Sequence, residues 1–163
     1  MHSDNNMTFL STMADSDPDA YCYISGTHGF PNLKATMYFY KTDLGVLISL
    51  SATNLPALDN CGIFGFHIHE GTKCELNPKN PSLDYVTVGT HYNPTNTFHP
   101  CNAGDLPPIF SANGNAMMTY LLTQFTINEV VGRAVIIHAM PDDFTSHPDG
   151  HSGAKIACGV IEQ

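Results

Sequence analysis

The chain has 163 residues, 42% of them hydrophobic and 13% charged, which is enough apolar material for one core and about half the ~25% charge of an ordinary soluble domain. Single cores commonly run to ~100–200 residues, so this length holds one domain and a second catalytic domain would not fit. Six Lys and Arg against fifteen Asp and Glu leave a net charge of −9, without the clustered cations that grip a polyphosphate backbone, and no apolar run reaches the ~18–20 residues of a spanning helix. Neither nucleic acid nor a membrane is an expected partner.

Residues 1–19 are polar and acidic, without sustained periodicity, and read as a flexible arm that precedes a domain over 20–163. They carry no basic segment followed by an apolar one, so the expected location is cytoplasmic if Met1 is the native start and periplasmic or secreted if a signal peptide has been removed. Two strand-length runs, 35–40 and 46–51, flank Asp43-Leu44-Gly45 and predict a hairpin. The run 62–69 is apolar and bounded by turn residues, as a strand would be. Between His69 and Ile109 lie roughly forty residues dense in Asn, Pro, Thr and Gly, and a loop that long within a compact domain is usually functional.

Asn113-Gly114 favours the positive φ angles of a tight turn and predicts a second hairpin between 109–110 and 117–122. Thr126-Ile127-Asn128-Glu129 has the capping-box pattern of a helix start, with Gly132 leaving space for barely one turn. Runs 132–139 and 155–161 complete about eight short strands, and the fold class is all-β, an antiparallel sandwich or barrel with long loops.

Nine histidines in so lightly charged a chain stand out, because imidazole is the commonest protein ligand of transition metals. In His67-Ile68-His69, residues i and i+2 of a strand point the same way and bring two imidazoles to one site. His91 and His99 fall in the long loop, Asp105 follows, and His138 ends a strand just before Asp142-Asp143. Carboxylates near histidines are what orients a metal-bound imidazole. Five cysteines, an odd number without a CxxC spacing, leave at least one thiol free or paired between chains and exclude a thiolate zinc ribbon.

Five motifs, Gly65-Phe66-His67-Ile68-His69-Glu70, Gly89-Thr90-His91-Tyr92-Asn93-Pro94, Gly104-Asp105-Leu106-Pro107, Val135-Ile136-Ile137-His138 and Lys155-Ile156-Ala157-Cys158-Gly159-Val160-Ile161, together resemble the copper-zinc superoxide dismutase family over residues 20–162. The resemblance implies an eight-stranded antiparallel Greek-key barrel or sandwich and a copper enzyme that converts superoxide to dioxygen and hydrogen peroxide. It implies copper on His67, His69, His91 and His138, with His91 bridging to zinc and carrying a proton in turnover. Zinc would be held by His91, His99 and Asp105. The family's remaining zinc histidine falls at Asn102, a poor ligand, so zinc is expected to be weak, absent, or completed by Cys101 or a water.

The same resemblance makes Asp142 the carboxylate that hydrogen-bonds ligands of both metals, and pairs Cys74 with Cys158 in a disulfide. Lys155 takes the place of an arginine that guides the anion; it keeps the charge without the planar fork. Cys22 and Cys61 read as buried small hydrophobes, and His2, His28, His147 and His151 as surface histidines. A homodimer is left open. The altered zinc position motivates one competing reading, a non-catalytic copper-binding domain of the same fold for storage, transfer or sensing.

Overall fold

The structure is a computed structural model and describes residues 13, 15–82 and 84–163. Most of the expected arm, His2 included, lies outside the described residues. Its last residue already belongs to the domain, since the Asp19 backbone N–H donates to Phe39 O at 2.9 Å and its carboxylate accepts from the Lys41 backbone at 2.7 Å.

Alternation of apolar and polar side chains builds the first three strands, β1 (Ala20–Gly26), β2 (Lys34–Thr42) and β3 (Gly45–Thr53). Ala20, Cys22 and Ile24 turn inward from β1, Met37 and Phe39 from β2, and Ile48 and Leu50 from β3. The hairpin expected between β2 and β3 forms with Thr42 opposite Gly45. The run 62–69 is divided into β4 (Ile63–Phe64) and β5 (Phe66–Ile68). Gly65 divides them: a Cβ there would stand 2.7 Å from Ser152 Oγ, so no side chain fits where the segment 140–152 crosses.

β6 (Ile109–Phe110), β7 (Ala116–Leu122), the one-turn α1 (Ile127–Val130), β8 (Ala134–His138) and β9 (Lys155–Glu162) complete the order. Thr126 and Glu129 form the expected cap, the Glu129 carboxylate accepting from both the Thr126 N–H and hydroxyl at 2.7 Å. The second hairpin is not as expected. Asn113 and Gly114 do turn with positive φ, 50° and 77°, but only Ala112 and Asn115 pair across the turn. β6 pairs instead with β4, and β7 with β3.

The strands form an antiparallel seven-stranded sheet in the order β5-β8-β9-β1-β2-β3-β7, curled about the β4-β6 pair, and nearly all of the regular structure is β. The core inside includes Phe39, Phe64, Phe66, Ile48, Ile109 and Ile137. β8 is buried on both faces, because Ala134 and Ile136 on its outer side are covered by Tyr85 and Val88 of the long loop. Cys74 and Cys158 are bonded across 84 residues and fasten this cover to β9. The long loop is therefore a packed layer over the sheet, and it returns the segments of His91 and Asp105 to the edge of β5 opposite β8.

Candidate metal centre

Backbone pairing places the histidines. Asp105 bridges to His67 and His91 to His69, with Tyr92 N–H donating to Ile68 O at 2.8 Å and Ile68 N–H to Gly104 O at 2.9 Å. Gly104 allows this approach, since a Cβ there would meet Ile68 O and stand 2.9 Å from Tyr92 N. On β8 the pairing with β9 shifts register between Ile137 and His138, and a bulge of this kind re-aims the side chain beside it. The result is four buried imidazoles, His67, His69, His91 and His138, whose candidate ligand atoms all lie within 4.8 Å of one another.

In each ring one nitrogen is engaged and the other is not. His67 Nε2–H donates to Asp142 Oδ2 at 2.9 Å, His69 Nδ1–H to Gly89 O at 3.0 Å, and His138 Nδ1–H to Gly153 O at 3.2 Å. His91 Nδ1 lies 2.8 Å from Asp105 Oδ1. His67 Nδ1 and His91 Nε2 are buried with no hydrogen-bond partner. The Nε2 atoms of His69 and His138, left as bare lone pairs by their other bonds, face each other at 3.3 Å. Four nitrogen lone pairs converging in a buried space fit a soft or borderline cation, and imidazole suits copper.

A second group, His91, His99 and Asp105, shares His91 with the first. His99 Nε2–H donates to Asp142 Oδ1 at 2.8 Å, which leaves the Nδ1 lone pair 3.1 Å from Asp105 Oδ2. That juxtaposition of lone pair and carboxylate is unfavourable unless a cation stands between them. Two imidazoles and one carboxylate suit zinc but are one short of its closed tetrahedron. The Asn102 side chain is buried beside them and meets the Thr97 hydroxyl at 3.5 Å, while its backbone N–H donates to Asp105 Oδ2 at 2.9 Å. The structure does not bring Cys101 into this group; its thiol is free and on the exposed side.

Asp142 accepts from His67 with one oxygen and from His99 with the other, so a single carboxylate fixes one imidazole of each group. Burial opposes its ionisation, but the N–H groups of His67, Phe144 and His99 outweigh burial and hold its pKa below the usual carboxylate value. Gly150 makes the contact possible: at φ 62°, a Cβ there would run into Asp142 Oδ1 and come within 2.7 Å of His99 Nε2.

Burial lowers the proton affinity of three of these histidines, His67, His69 and His138. It takes His69 to about 3 and His138 well below 6.5, while for His67 the bond to Asp142 partly offsets it. They are neutral at pH 7 and offer lone pairs. Below 6.5 an unfolded chain binds protons that this folded site refuses, so stability is present above that value and is lost as the pH falls toward about 3. The metal-free protein is expected to lose about 1.4 kcal/mol per pH unit between 6.5 and about 3 from His69 alone. Thermal melts at pH 7, 6 and 5 read this directly, and a flat profile would contradict it.

A cavity of about 120 Å³ opens beside His69, His91 and His138, with Asp149 and Lys155 on its wall. Lys155 Nζ lies 3.2 Å from Asp84 Oδ1, so the one lysine at this cavity has a counter-ion. Burial opposes the charge on Asp84, but Asn77 and Lys155 outweigh it and lower its pKa. Sequence reasoning did not find Asp84, which is 71 positions from its partner. Cys22 is buried as expected, whereas Cys61 is exposed at φ 54°, contrary to the expectation of burial.

A family model described as copper/zinc superoxide dismutase matches residues 33–161. A copper-zinc superoxide dismutase of Legionella pneumophila is 34% identical, with 94% of this chain and 92% of the relative covered. Superoxide dismutase [Cu-Zn] 2 of Aquifex aeolicus is 31% identical, with coverages of 96% and 94%. Among solved structures, a double mutant of a SOD-like protein from Bacillus subtilis superposes with a TM-score of 0.68 at 26% identity, covering 88% of this chain and 97% of that one.

Proposed function

The chain belongs to the copper/zinc superoxide dismutase family, and we propose that it converts superoxide to dioxygen and hydrogen peroxide at a copper held by His67, His69, His91 and His138. The observation that carries this reading is the set of four ring nitrogens turned toward one buried space, each on an imidazole fixed through its other nitrogen. Copper bound there would supply the one-electron redox chemistry that this reaction needs. Zinc would be held by His91, His99 and Asp105, more loosely than by four protein ligands because Asn102 contributes none.

The chain's own residues supply the rest. His91 Nε2 is the site at which a proton can be held and passed to the reduced product, while Nδ1, 2.8 Å from Asp105 Oδ1, faces the second group. Asp142 orients His67 and His99. The buried, tightly packed setting excludes bulk water, and the small cavity admits a diatomic anion. Lys155 attracts that anion, since a cation at a cleft focuses the local field whatever the net charge. Its pairing with Asp84 weakens the attraction. The Cys74–Cys158 bridge suits an oxidising compartment.

Lys155→Ala is expected to lower the superoxide decay rate by about tenfold, the lower end of electrostatic steering effects, and to flatten its dependence on salt. Pulse radiolysis at several ionic strengths measures both. An unchanged rate and salt slope would take Lys155 out of the mechanism. The pairing with Asp84 and the missing ligand at Asn102 favour one second reading, a copper-binding domain without catalysis. A protein shown to hold copper in this site yet unable to accelerate superoxide decay would establish it over the dismutase.

A further inference from the structure

The second metal group lacks a fourth protein ligand, and we infer that His147 completes it in place of the residue at 102. A cavity of about 220 Å³ lies against His91, His99 and Asn102, and His147 is on its wall. A water occupies ~30 Å³ of liquid, so the space has room for an imidazole ring. Asn102 is too short to fill it and is held by Thr97 and Asp105.

The segment that carries His147 is already docked on this site. Asp142 grips His99, and Asp143 fixes the next turn by accepting from the Thr145 and Ser146 backbones at 2.9 and 2.8 Å. His147 follows that turn and rests its ring against Phe98, at a centroid distance of 4.8 Å and 63° between planes, and Phe98 immediately precedes the ligand His99. The imidazole is exposed, so a rotamer change that brings it into the cavity disturbs no packed core.

Rivals for the position are less suited. Cys101 is exposed and does not line this cavity, and its carbonyl accepts from the Thr97 hydroxyl at 2.7 Å. Glu70 reaches the same cavity but accepts from Thr90 at 3.1 Å, and a second carboxylate beside Asp105 would add negative charge that a neutral imidazole does not. With His147 the set becomes three imidazoles and one carboxylate, a closed zinc tetrahedron. The inference rests on the dismutase reading only for the presence of a metal at His91, His99 and Asp105.

The test is zinc affinity of the copper-loaded full-length protein by chelator competition, with cobalt(II) absorption at the same site as a second readout. His147→Ala is expected to weaken zinc by at least the ~10–100-fold that loss of an outer partner of a metal ligand costs. Millimolar free imidazole, or Asn102→His in the same background, should restore it. Wild-type affinity and an unchanged cobalt spectrum in His147→Ala would overturn the assignment, as would a loss of affinity in Cys101→Ala in its stead. Absence of superoxide decay with these metal results intact would count against the dismutase reading alone.

Discussion

Asp142→Ala is expected to lower the affinity of both metal groups together, by about 10–100-fold each. The carboxylate is the acceptor for His67 Nε2–H and His99 Nε2–H, at 2.9 and 2.8 Å, and both rings are buried. Removing it leaves two buried donors unsatisfied, at about 1–3 kcal/mol each, and releases the tautomer that turns each Nδ1 lone pair inward. Asp142→Asn should be milder, because an amide oxygen can still accept from one of the two rings. Competition titrations with copper and zinc chelators on the same preparations make the comparison. Unchanged affinity for both metals in Asp142→Ala would remove the carboxylate from the site.

The second large effect concerns stability. Cys74→Ser, leaving Cys158 as a free thiol, is expected to cost about 4–5 kcal/mol, the loop-closure entropy for a bridge that spans 84 residues. Urea unfolding of oxidised wild type against the variant measures it. A loss below about 1 kcal/mol would mean that the unfolded chain keeps enough structure, or the folded one enough strain at the bridge, to cancel the loop-closure entropy. The same substitution bears on the cavity mouth, because the fastened loop carries Asp84 and β9 carries Lys155.

What could be read from the residues was whatever repeats at short range or sits in a recognisable motif. The His67-x-His69 pair, the capping box at Thr126 and the β2-β3 hairpin are local patterns, and each is present in the structure. The alternation of Ala20, Cys22 and Ile24 with Tyr21, Tyr23 and Ser25 is as regular, yet β1 was not among the expected strands, because the polar arm before it made this stretch look like a mere domain start. The pairing of β6 was not legible at all. Its partner β4 is more than forty positions upstream, and a good turn at Asn113-Gly114 suggests the nearer neighbour. Asp84 was hidden for the same reason: nothing near it in the chain announces that Lys155 will fold onto it. At Asn102 the sequence departs from the family pattern, and its neighbour Cys101 drew attention as a substitute ligand, but only burial distinguishes a thiol that faces the metals from one that faces solvent.

Gly150 places an unusual limit on how this protein can vary. Among its neighbours, Phe144, Thr145, Pro148 and Asp149 are exposed and can change composition at small cost, whereas Asp143 shapes the turn and His147 faces the second metal group. At 150 any side chain must displace either the Asp142 carboxylate or the His99 ring, and the backbone there is already in a conformation that L residues avoid. A saturation library across residues 143–150 should therefore retain diversity at most positions and collapse to one residue at the last. The metal pocket is bounded there by an atom that has to be missing.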